Sequence, residues 1–201
     1  MTDTSRCVQT ARVSRPRPSD LYAHPRQLIT EATAEFGIHS VVDTCLALLE
    51  GRVDFELLPV PVAFVSGVHA EVLVQRGDPM AREQQYWPRV WGARGLRYSW
   101  LGYARPGVVL GLRDPAWRVR EMSAKVIRQH RLPACAEVLY GRLDDESVRV
   151  RVAAVQALGA LGGREHARLI AAMDVTDPAL RVAVASALRS LRLRLDRPVP
   201  G

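Results

Sequence analysis

The sequence predicts an all-α protein: a stack of short helix pairs behind an N-terminal helical cap. Three observations carry this. Counting back by 31 residues from Arg151 reaches Arg120 and then Arg89, and counting forward by 30 reaches Arg181. The same steps take Leu158 to Ile127, Leu96 and Leu188, so the helical register holds through four copies. Small residues fall at matched positions, among them Ala124, Ala154, Ala157, Ala185 and Ala187, where they let neighbouring helices approach closely. An amphipathic pair of this size cannot bury its own apolar face, and a fixed period of this length marks an array of stacked units.

The elements follow in chain order. Residues 1–24 are polar, contain Pro16 and Pro18, and show neither a helical nor a strand period, which predicts a disordered or loosely packed arm. Residues 25–85 form the cap and a degenerate repeat. Pro25 suits a first helical position, and Leu28, Ile29, Ala32 and Phe36 share a face up to Gly37. Ser40 and Asp43 are spaced as a capping box for a second helix, whose apolar stripe is Val41, Val42, Cys45, Leu46, Leu48 and Leu49. The two helices read as a hairpin that shields the first unit from water. Pro59 and Pro61 exclude an uninterrupted helix over 52–83, leaving a short one over Val68–Val74.

Clear repeats occupy 86–191. The first copy has a leading helix from about Arg82 to Trp100 and a second helix beginning near Pro106. The next opens at Asp114, with its second helix over about Pro133 to Leu143. A third opens at Asp145, and its second helix holds Leu169, Ile170 and Met173. Val108, Leu139 and Leu169 are the expected core positions of the second helices, followed by Leu112, Leu143 and Met173. The last copy opens at Asp177 without a clear second helix, and 192–201 is a C-terminal tail. Asp114, Asp145 and Asp177 lie where a carboxylate accepts N–H bonds at a helix start.

The run Asp145, Val150-Arg151, Ala154, Ala157-Leu158-Gly159, with its counterparts over 114–128, resembles the HEAT-repeat family. The likeness is to its short form of about 30 residues, also found in phycobilisome-lyase-like proteins. The resemblance implies a right-handed α-α superhelix, a short solenoid with leading helices outside and second helices on the concave side. It also implies a ladder in which Arg89, Arg120, Arg151 and Arg181 hold acidic or backbone groups of adjacent units.

Function is written elsewhere than in the repeat, because such arrays serve many partners. The net charge of +7 and a pI near 10.0 invite an acidic partner or nucleic acid. Lys125 is the only lysine, and the arginines are spread along the array with no single basic run. Cys7, Cys45 and Cys135 have no paired spacing, which predicts neither a disulfide framework nor a metal site and leaves Cys45 and Cys135 as buried structural thiols. No apolar run approaches a membrane span and no secretory pattern opens the chain, so a cytoplasmic protein without a membrane partner is expected. The sequence holds no G-x-S-x-G, H-E-x-x-H or Walker loop, and neither catalytic residues nor a cofactor are expected.

These readings point to a non-catalytic scaffold or adaptor that binds another protein or peptide segment through its curved surface. Two sets of residues exceed what stacking requires. Tyr86, Trp87, Trp91, Trp100, Tyr103 and Trp117 place every tryptophan within about one repeat, as an aromatic hot spot would. Arg105, Arg142, Arg164 and Arg168 lie on the second helices and turns, where they would line a groove. The alternative is a nucleic-acid-binding protein similar to the HEAT-like DNA glycosylases of alkylated bases, with Asp114 and Trp117 beside Trp87 and Trp91. Against that, Asp114 recurs as Asp145, as a structural cap would.

Overall fold

The computed structural model describes residues 15–52, 54–69 and 86–196, and among them every regular element is a helix. In order these are α1 (Pro25–Phe36), α2 (Ile38–Leu49), α3 (Ala63–Ser66), α4 (Trp87–Gly95), α5 (Arg105–Gly111), α6 (Trp117–Gln129), α7 (Ala136–Tyr140), α8 (Val148–Leu161), α9 (Arg164–Ala171) and α10 (Pro178–Leu195). Short 3-10 turns at Phe55–Leu57, Gly102–Ala104 and Pro133–Cys135 punctuate the series.

The leading helices pack in sequence, α2 on α4, α4 on α6, α6 on α8 and α8 on α10. The short second helices α5, α7 and α9 each rest on the leading helix that follows them, α6, α8 and α10. One apolar core runs through both layers, from Ile29 and Leu48 in the cap through Leu96, Ile127 and Leu158 to Leu191. Close approach depends on missing side chains. A Cβ at Gly92 would run into the Cys45 carbonyl and lie 2.8 Å from the Leu49 nitrogen, and one at Gly159 would lie 2.7 Å from the Ala187 Cα.

Several expectations are corrected here. Residues 15–24 are not a loose arm: Arg15 donates to the Phe55, Glu56 and Leu58 carbonyls, Pro18 is buried, and Ser19 bonds Glu31. Three stacked carbonyl acceptors suit one guanidinium, a pairing invisible at a separation of 40 residues. The helix expected to open at Ser40 begins at Ile38, directly after Gly37, whose φ of 80° makes the corner in one residue. That corner also breaks the apolar stretch 25–49 into two helices. Burial takes up its apolar side chains Leu28, Ile29, Val41, Val42 and Leu48.

At the third second-helix the core position is Ile170, fully buried, while Leu169 is half-buried. The 31-residue step from Val108 through Leu139 therefore continues to Ile170 and not to Leu169. The last helix runs to Leu195, so the expected tail boundary at 192 falls inside α10. The leading helix expected from Arg82 starts at Trp87 among the described residues, and 82–85 lie outside them. Residues 1–14 and most of the helix expected over Val68–Val74 also lie outside the described residues.

Candidate interaction surface

Two of the arginines that recur at the repeat period, Arg89 and Arg120, turn to aspartates of the following unit. Arg120 Nε and Nη2 each donate to one oxygen of Asp145 at 2.8 Å, a bidentate pair with side chains only 7% and 3% exposed. Arg120 Nη1 reaches the Asp114 and Pro115 carbonyls at 2.9 Å, tying its own turn to the next unit. One unit earlier, Arg89 makes the same bidentate bond to Asp114, at 2.7 and 3.2 Å. The rule is an arginine in one leading helix and an aspartate 25 residues later, at the entry to the next.

Each aspartate also accepts from the N–H two residues on, Ala116 for Asp114 and Ser147 for Asp145. The helix caps proper are Ala116 and Ser147, so these carboxylates fix the turn ahead of the cap. Only Asp177 caps its helix directly, accepting from Ala179 and Leu180. Burial works against ionised Asp145, but the Arg120 bonds and the Ser147 N–H outweigh it and hold the carboxyl below its ordinary value.

The ladder lapses after two rungs. The position 25 beyond Arg151 is Thr176, and among the described residues Arg151 bonds the Asp145 carbonyl through Nη1 while its buried Nε meets no acceptor. Arg181 reaches the Thr176 carbonyl at 3.4 Å. Arg142, expected in a groove, sits 3.6 Å from Asp145 Oδ2 and adds to the second rung.

The aromatic residues do not form one cluster. Trp91 is a correction: it is 3% exposed, lies in the core and presents no contact surface. Trp100, beyond the C-terminal end of α4, is half-buried and stacks on His130 at 4.6 Å with the rings 13° apart. His130 Nε2 lies 2.8 Å from the Leu96 carbonyl; burial, opposed by this bond and aided by Arg97, lowers the imidazole's pKa below its ordinary value. Exposed Tyr103 donates to Asp43 at 2.6 Å and stacks on His39, and the Asp43 bond pushes its phenol up to about 12. It joins the 3-10 turn ahead of α5 to the cap helix α2. Arg105, Arg164 and Arg168 are exposed on α5 and α9.

What the structure does bring together lies at the N-terminal ends of the leading helices. The Arg118 guanidinium carbon stands 5.3 Å from the Trp87 ring and 4.4 Å from the Trp117 ring, and Arg149 stands 5.6 Å from Trp117. Arg118 Nε also donates to the Tyr86 hydroxyl at 3.3 Å. The column thus runs Trp87, Arg118, Trp117, Arg149 across three units. Arg118 and Arg149 were not among the expected contact residues, although Trp87, Arg118 and Arg149 share one 31-residue spacing. A guanidinium flat against an indole is fixed in orientation while its N–H edge stays available to an anion.

Among the described residues no group of His, Cys, Asp and Glu is arranged to hold a metal ion. Cys45 is buried beneath α4, and burial, partly offset by Arg94, pushes its thiol up to about 12, so it is a packing group. Burial likewise raises the Cys135 thiol, against Arg105.

Among curated proteins none matches the sequence. The family model for HEAT repeats matches residues 106–192, from the second helix of the first unit to the end of the array. The repeating helix pairs, the arginine–aspartate rungs between them and this match agree. Residues 106–192 are HEAT repeats.

Proposed function

We propose that the protein is a non-catalytic scaffold whose helix pairs curve as a right-handed superhelix and whose partner is another protein. The observation that carries this is the column Trp87, Arg118, Trp117, Arg149, which the stacking of units does not require. Val148 replaces the aromatic one unit after Trp117, so the column is particular to the units around α4 and α6. Two oriented guanidinium groups beside half-buried indoles suit an acidic peptide segment carrying an apolar or aromatic anchor. HEAT repeats are commonly protein-interaction scaffolds, which supports the same reading.

The nucleic-acid alternative draws on the same arginines. Its catalytic form would need a free carboxylate at Asp114, and that group is bonded to Arg89 and the Ala116 N–H. Affinity capture from nuclease-treated lysate tests the proposal. A protein retained by the wild type and lost with Trp117→Ala or Arg149→Glu supports it. Retention that disappears with nuclease, or that neither variant alters, would refute it.

A further inference from the structure

Among the described residues, nothing covers the face of α10 that corresponds by register to the buried faces of α6 and α8. Ala124 in α6 and Val155 in α8 are fully buried. By the register that takes Arg151 to Arg181, the corresponding residue of α10 is Ala185, which is exposed. Val182 beside it is 71% exposed and Leu193 is 66% exposed, although both are apolar. Arg181, Arg189 and Arg192 stand exposed around them. Arg89 and Arg120 each hold an aspartate of the following unit, whereas among the described residues Arg181 meets only a carbonyl.

We infer that this face docks an amphipathic, acidic helix of a partner protein, which continues the stack by laying small apolar residues on Val182 and Ala185 and a carboxylate on Arg181. Complementarity of charge selects the occupant. A second copy laid α10 against α10 would set Arg181, Arg189 and Arg192 against the same residues, at a repulsive cost. An acidic helix satisfies both the apolar strip and its arginine rim, in the helix-in-groove manner. This surface is separate from the aromatic column and stands or falls without it.

The test uses the full chain and a fluorescein-labelled helical peptide of residues 144–161 carrying Arg149→Glu and Arg151→Glu. That peptide keeps Asp145, which Arg120 of α6 holds, and the buried valines and alanines of α8. Fluorescence anisotropy should show saturable micromolar binding, weakened about tenfold by Ala185→Glu or Arg181→Gln and unchanged by Trp117→Ala. Both α10 positions are exposed, and an unchanged thermal unfolding midpoint confirms that the variants fold. Absence of saturation up to roughly 500 µM peptide, equal binding by the α10 variants, or loss with Trp117→Ala would overturn the inference. So would a dimer in light scattering that Ala185→Glu dissolves, since the occupant would then be a second copy.

Discussion

Asp145 shows how one side chain serves two purposes in a stacked protein. Its carboxylate fixes the turn before α8 through the Ser147 N–H and closes a bidentate pair with Arg120 of the previous unit. Because its pKa is depressed in the folded state, the stabilisation it gives is present above the ordinary value of 3.8 and is lost as pH falls through the lower folded value. Acid unfolding followed by circular dichroism should therefore steepen below that range in the wild type, and Asp145→Asn should flatten that part of the curve while lowering stability at neutral pH. Thr176 offers the reverse case. Placing an aspartate there, by Thr176→Asp, supplies the rung that Arg151 lacks and should raise stability in urea unfolding by about 1 kcal/mol. The recurrence of arginine was legible in the sequence, and so was an aspartate at each entry. The resemblance implies a ladder to acidic or backbone groups of adjacent units, but the residues alone do not name the aspartate 25 positions on as the partner, because each is explained by its own helix.

At the scale of elements, the quality of packing follows from which residues are absent. Gly92 lets α4 lie against the α2 backbone, whereas a Cβ at Gly163, at the start of α9, would meet nothing within 4 Å. Gly92→Ala should cost about 2 kcal/mol or more, and Gly163→Ala should be close to neutral, as measured by denaturant midpoint. Periodicity made the leading helices legible, since their apolar and small residues repeat in step. The second helices are short, five residues in α7 and eight in α9, and so carry little periodic signal. That is why Leu169 was expected where Ile170 is the buried residue. The start of α2 misled for a related reason. Ser40 and Asp43 have the spacing of a cap, but the positive φ of Gly37 already turns the chain, so the helix starts before them.

For the whole molecule, the arrangement separates residues that bind the chain to itself from residues left for others. Arg89 and Arg120, which the resemblance assigns to a ladder, are consumed by it. The tryptophans divide between core, a histidine stack and the column at the helix starts. Composition showed a cation excess and a local wealth of tryptophan but not this division, which depends on the side of each helix that neighbours cover. If the column is a binding surface and not a stacking device, Trp117→Ala should lose the captured partner while moving the unfolding midpoint little, within about 1 kcal/mol. The central claim is that the rungs join consecutive units. A double-mutant cycle of Arg120→Ala and Asp145→Ala, measured by equilibrium urea unfolding, tests it most directly. The structure predicts a coupling energy of about 2 kcal/mol or more, with each single variant costing nearly as much as the pair; additive losses, with coupling near zero, would contradict it.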